Sequence, residues 1–368
     1  MPETERDTEA ALADEAAHEH VKTRWSELRY GERIQAALRT RSAMVVAIVL
    51  VLLLILSAAV VQDVSYQRLV SLTAWGVMLG GVIALGAIGL TLIYGVLRFP
   101  NFSHGALVTL GAYIALTVVW IWPGQSPALG PFSFGWDLVV GLLIAMPLVG
   151  LVALALDRAV YRRLRIKNSS LVLFAMASLA MAFFVRSMIY LIWGSDFHVY
   201  YQGRSHPALE LWFGMRIQPD QLFILGFALV LVGGLYLLLG RTRLGKAMRA
   251  TANNPELAQV RGINTERVIA WSWFMSGAMA GAGGVMYGLA SQLRPEMGFW
   301  LLLPMFAAVI MGTIGNPRGA LVGALIIGVT VQVSTAFMNP AYGPAVAFML
   351  MIITLLLRPQ GLFGGSGG

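Results

Sequence analysis

The chain has 368 residues, 58% of them hydrophobic and only 12% charged, with a formal net charge of +8. Soluble domains carry roughly 25% charged residues, so a water-soluble fold is excluded and an all-α integral membrane protein is expected. There is no cysteine, which also excludes disulfides, thiolate metal sites and cysteine nucleophiles.

Residues 1–42 form a charged N-terminal extension, acidic and alanine-rich over 3–19. Over 21–39, Val21, Trp25, Leu28 and Leu38 stand among Lys22, Arg24, Arg29, Arg33 and Arg39. That pattern suits a helix lying on anionic membrane lipid, with a plain solvated tail as the other reading. The first apolar run, 43–61, is long enough for a full span rather than the h-region of a cleaved signal. Further apolar runs follow at 70–96, 105–122, 137–156, 169–193, 220–240, 268–290, 299–314, 319–338 and 343–357. The reading is therefore about ten transmembrane helices, some broken or short, in a domain spanning 43–358 with a tail at 359–368.

Positive charge sets the orientation. Residues 22–41, 157–167 and 241–267 hold 17 of the 26 Lys and Arg, and counting crossings from a cytoplasmic N-terminus puts all three stretches inside. The loops 62–69 and 194–219 fall outside and hold only Arg68, Arg204 and Arg216. Both termini are therefore expected to be cytoplasmic. The basic residues interrupt apolar spans rather than forming a face, so a nucleic-acid partner is not expected. Trp193, Tyr200, Tyr201 and Trp212 around the 194–219 loop mark a membrane–water boundary or a docking surface.

Between the second and third runs, Leu97-Arg-Phe-Pro-Asn-Phe-Ser-His-Gly105 breaks the apolar pattern. Pro100 disfavours helix at Phe99, and Asn101 or Ser103 can cap a new helix through Gly105. Such a break can place Asn101, Ser103, His104 and Gly105 on a substrate path, or be only a tight inner turn. His104 has no carboxylate or second histidine nearby in sequence, so a structural role is expected of it. Arg186 lies in the outer half of its span and is expected to snorkel to the interface.

The longest hydrophilic insertion, 241–267, predicts one short helix over Leu244–Thr251 and a second capped by Asn254. Pro255 takes the first position, Glu256 favours the helix dipole and Gly262 ends it. Two stiff helices suit a docking element, with Leu257 and Val260 filling an apolar cleft of a partner and Glu256 and Arg261 at the rim; a basic loop held by lipid phosphates is the other reading. Gly240-Arg-Thr-Arg-Leu-Gly-Lys246 matches the start of a P-loop, yet Ala247 lacks the hydroxyl for magnesium and no strand precedes it. The chain is therefore not expected to be an enzyme or to hold ATP itself. Asp137, Asp157 and Asp220 sit at segment edges, which argues against the alternative of an ion-coupled secondary transporter. Glycines recur four residues apart at Gly76/Gly80, Gly277/Gly281, Gly284/Gly288, Gly315/Gly319 and Gly319/Gly323, a spacing that lets helices approach closely.

Asn101-Phe-Ser-His-Gly105 resembles the Asn-Phe-Ala-His-Gly motif of the high-affinity branched-chain amino-acid ABC permeases. Gly245–Asn264 is similar to that family's cytoplasmic coupling loop, and Gly312–Gly323 and Arg358–Phe363 match two further stretches, so the resemblance covers roughly 70–363. Arg98, Pro100 and the long N-terminal extension depart from the family pattern. The resemblance implies a fold similar to the ribose and cobalamin importer permeases. It implies a homologous second permease, two ABC ATPase subunits carrying ATP and magnesium, and a periplasmic or lipoprotein solute-binding protein as partners. The implied substrates are leucine, isoleucine and valine, with urea and short amides in close relatives. Residues Leu244 to Gly262 are implied to insert into a cleft of the ATPase.

Overall fold

The computed structural model describes residues 65–124, 126–203, 208–211 and 215–363. The N-terminal extension, the expected 21–39 helix, the 43–61 segment, Arg204, Trp212 and residues 364–368 lie outside them. The other nine expected segments each coincide with a helix. Eight are long and apolar enough to cross a membrane, and the ninth, Met297–Gly312, is shorter.

Helix α1 (Tyr66–Leu97) is followed by α2 (Ser103–Ile121) and α3 (Trp136–Leu156). A π-turn at Asp157–Tyr161 carries α3 into α4 (Arg162–Ile166), so the predicted end at residue 156 lies inside one continuous rod. Then come α5 (Leu171–Trp193), α6 (Pro219–Arg241), the short α7 (Arg243–Asn253) and α8 (Pro255–Val260), and α9 (Thr265–Ala290). The chain finishes with α10 (Met297–Gly312), α11 (Pro317–Ser334) and α12 (Gly343–Leu357). Between α5 and α6, the loop contains a two-stranded hairpin, β1 (Leu209–Leu211) with β2 (Met215–Ile217), pairing Leu209 with Ile217. Three alternating residues per strand are too few to announce a hairpin in sequence.

The starts of these helices follow from side chains that supply the acceptors helix ends lack. Ser65, Thr242, Asn254, Asn264 and Asn316 each accept a backbone N–H of the helix they open. α1, α2 and α9 form the centre: α1 packs on α9 and α11, and α9 on α2 and α3. Over its most apolar stretch α1 is 89% buried, whereas that of the final span is 11% buried, so the peripheral helices present their apolar sides to lipid or to another subunit.

Close backbone approach explains the glycine spacing. A methyl group added at Gly284 on α9 would fall on the Val108 carbonyl oxygen of α2, one at Gly277 would overlap Val149 and Gly150 of α3, and one at Gly281 would press on Ala145 and Val149. The expected Gly315/Gly319 pair is not on one helix face, because Gly315 lies in the turn before α11 with φ +81°.

The two ends of the bundle differ in charge. Of the 18 described Lys and Arg, 14 stand at the end formed by residues 97–102, 157–168, 241–267, 313–318 and 358–363. Contacts such as the Arg98 guanidinium donating to the Ala252 carbonyl (3.3 Å) and Thr313 to that of Gln360 (3.0 Å) tie these stretches together. At the opposite end, Trp75 Nε1 donates to the Arg216 carbonyl at 3.2 Å, Ser133 to Asp220, and His198 pairs with Leu293.

Candidate functional site

At the basic end, Arg243 to Val260 build a rigid projection. Thr242 accepts from Gly245 N–H at 3.1 Å to start α7, and Gly245 is pressed against the Leu238 and Leu239 carbonyls. The run resembling a P-loop is thus the end of α6 and the first turn of α7, a helix–turn–helix with no strand before it. Gly245, Met248 and Thr251 form the buried face of α7, while Leu244 is half-buried.

Asn254 Oδ1 accepts from Leu257 N–H at 2.9 Å, and Pro255 occupies the first position of α8. Gly262 closes it at φ +79°, a left-handed conformation in which glycine carries no steric penalty. Of α8, only Ala258 is buried. Leu257 is 56% exposed and Val260 83%, two apolar side chains displayed on one short helix beside the exposed Glu256 and Arg261.

Two links join this projection to the spans, and an ion-pair cluster beside it joins α4 to α9. Gln259 Nε2 donates to Thr265 Oγ1 at 2.9 Å, in the first turn of α9. The Arg98 bond to Ala252 joins α7 to the end of α1. Arg165 makes a two-pronged bond to the buried Asp157 (2.6 and 3.2 Å) and reaches Glu266 at 3.4 Å, with Arg162 on Glu266 at 3.2 Å. Gln259 and Arg98 are links that sequence reasoning missed, since both read as ordinary loop polar residues.

The helix break lies behind this joint. α1 ends at Leu97, Arg98 takes φ +56°, and α2 begins at Ser103. Phe99 is locked in an aromatic cluster with Tyr161, Phe174 and Trp273, ring centroids 5.2–6.5 Å away. Asn101 Oδ1 accepts from Ser103 N–H (3.2 Å) and Oγ (2.6 Å), so Asn101 holds the first residue of the new helix from just before its N-cap position. Ser103 Oγ also lies 3.2 Å from the Tyr161 hydroxyl, and Ser178 Oγ accepts from Phe102 N–H at 3.1 Å.

His104 Nε2 stands 2.9 Å from the Gly86 carbonyl oxygen, which can only accept, so that nitrogen carries the proton. Its Nδ1 then accepts from Ser276 Oγ at 3.4 Å. The imidazole bridges α1 and α9, the structural role expected of it. No group of three His, Asp or Glu side chains among the described residues converges as a metal site.

Asn101, Ser103 and His104 are all fully buried, turned into the bundle. The other side of the same turn presents Phe102, Gly105, Ala106 and Thr109 to a crevice closed by α5 and the start of α10. Gly105 and Gly298 lie backbone to backbone there, and Gly298 N–H donates to Thr109 Oγ1 at 3.0 Å. Tyr161, Ser178 and Ser276, which hold the break in place, carry no sequence signal: hydroxyls within apolar helices fit a lipid-facing span equally well.

Known proteins share this arrangement of sequence. The family model described as "Branched-chain amino acid transport system / permease component" matches residues 72–355. LivH of Escherichia coli K12, a high-affinity branched-chain amino acid transport system permease protein, is 30% identical over 299 residues, covering 78% of this chain and 93% of that protein. A probable branched-chain amino acid transport permease of Methanocaldococcus jannaschii is 31% identical over 302 residues, 78% of this chain and 90% of its own length. The fructose import permease FrcC of Rhizobium meliloti is 27% identical over 272 residues, 70% and 74% of the two chains. The family match runs from α1 into α12 and takes in both the helix break and the α7–α8 projection; the chain belongs to the branched-chain amino-acid transport permease family of ABC importers.

Proposed function

We propose that this chain and a homologous second permease enclose the path by which leucine, isoleucine, valine or a related small solute crosses the inner membrane. Two ATPase subunits, holding ATP and magnesium, dock on α7–α8, and a periplasmic or lipoprotein binding protein delivers solute to the opposite end. The carrying observation is the pair of exposed apolar side chains, Leu257 and Val260, on a capped helix bonded to the spans, in a chain of this family. An apolar patch on a short, rigid element is what a protein cleft recognises.

The positive charge of that end supports a cytoplasmic position for it and for both termini. ATP-driven motion of α8 enters α9 through Gln259–Thr265, and α1 through Arg98–Ala252. The Asn101–Gly105 segment then shapes the wall of the path, with Asn101, Ser103 and His104 bracing it from inside and Phe102 and Gly105 facing the crevice. Asp137 is buried but lies at the start of α3, and Asp157, inside the rod, is spent on Arg165, so neither suits an ion-coupled carrier.

The test is calorimetric titration of the partner binding protein with leucine, isoleucine, valine, urea and fructose. Binding of an aliphatic amino acid or an amide is the expected result; binding of fructose alone overturns the substrate assignment.

A further inference from the structure

Arg186 is a cation inside a span. It lies seven residues before the end of α5 (Leu171–Trp193), about 10 Å down a helix from its outer terminus at 1.5 Å per residue. A snorkelling arginine would turn its head outward. Here the guanidinium stands 5.0 Å from the ring of Phe183, one turn deeper in the span. Among the described residues it forms no hydrogen bond and no ion pair. An intramembrane charge left in that condition marks a functional site more often than a structural one, because lipid offers it nothing.

Its surroundings are a crevice between α2, α5 and α10, where Phe102, Ala106, Leu179, Phe183 and Phe299 supply apolar walls. Above Arg186 on the same face, Tyr190 donates its hydroxyl to Glu296 Oε1 at 3.0 Å. Glu296 is exposed and has no cationic partner within 4.0 Å among the described residues; its neighbour Arg294 is stacked on Phe197 at 4.6 Å. A cation lining the crevice and an exposed anion next to the crevice residue Pro295 thus stand on either side of one tyrosine, and no ion pair joins them.

We infer that Arg186 and Glu296 hold the carboxylate and the ammonium of an aliphatic α-amino acid, with its side chain against the crevice wall. The inference rests on the permease reading above and assigns the specificity of that path. A guanidinium fork suits a carboxylate, and a carboxylate braced by a phenol suits an ammonium. A neutral sugar or urea would leave the Arg186 cation unpaired against the apolar crevice, which disfavours them. Free space in the crevice is about 20 Å³, room for a single water. Solute therefore occupies it only when α5 or α10 moves away from α2, as alternating access requires.

The experiment uses the complete transporter, with binding protein and ATPase subunits, in proteoliposomes supplied with labelled leucine. R186Q and E296Q are expected to take up leucine at least tenfold more slowly than wild type at saturating binding protein, and R186K to fall between R186Q and wild type, because it keeps the charge and loses the fork. Copurification of all subunits stays unchanged. Wild-type rates in an assembled R186Q overturn the inference while leaving the importer reading intact. Should R186Q fail to assemble, E296Q decides, since it sits on the exposed start of α10, and wild-type uptake by it overturns the inference. If wild type itself takes up none of leucine, isoleucine and valine, the substrate reading beneath the inference is what has failed.

Discussion

Replacing Leu257 and Val260 together by alanine separates docking from folding. Both side chains lie outside the permease's own core, at 56% and 83% exposure. Complete burial of such a side chain is worth about 1.5–3 kcal/mol, so covering the fraction still exposed contributes roughly 1–2 kcal/mol for each. Truncation to alanine keeps one methyl of each, which leaves a loss of about 2–3 kcal/mol in docking. That corresponds to a rise of about 30- to 150-fold in the dissociation constant for the ATPase subunit. The permease itself should unfold within about 0.5 kcal/mol of wild type, as surface substitutions away from special features do. Biolayer interferometry against the isolated ATPase subunit reads the first quantity, and thermal unfolding of the permease in detergent the second. Unchanged affinity would mean that α8 is not the docking helix. A fall in permease stability matching the loss of affinity would mean that these side chains serve this chain's own packing.

Other expectations follow from the same geometry. Asp157→Ala leaves Arg165, only 14% exposed, without its two-pronged partner, and should cost about 3 kcal/mol of stability; a loss under about 1 kcal/mol by thermal unfolding would show that Glu266 suffices for it. Gly284→Ala forces α9 off the Val108 carbonyl and should cost about 1–3 kcal/mol. Gly226→Ala, with nothing within 4 Å, should be neutral or stabilising by up to about 1 kcal/mol, and equal Tm values for the two would contradict the packing. Cysteines placed at the exposed Asn253 and Ser195, in a chain that has none, should react in whole cells with an impermeant maleimide at 195 only. Labelling at 253 from outside would invert the assigned orientation.

Features set by a few neighbouring residues were legible in the sequence. Asn254, Pro255 and Gly262 punctuate α8 where local capping chemistry demands, and Pro100 with Asn101 marks the break between α1 and α2. The apolar runs gave nine helices to within a few residues, because a bilayer sets their length. Features set by distant neighbours were not legible. Which way the break turns its side chains depends on Tyr161, Ser178 and Ser276 on three other elements, so the full burial of Asn101 and Ser103 is not readable from the break itself. The π-turn that keeps Asp157 within a rod depends on the bond to Arg165 and on packing, and Arg186 reads as snorkelling until its contact with Phe183 is seen.

The central claim is that this chain forms the membrane path of an ATP-driven importer of aliphatic amino acids. Its most direct test is uptake of labelled leucine, isoleucine and valine into proteoliposomes containing this permease, its partner permease and the ATPase subunits. Binding protein is supplied outside and ATP inside. The account predicts accumulation against a gradient that requires ATP, binding protein and this chain together. Accumulation that persists without ATP and collapses when an ion gradient is dissipated would contradict it.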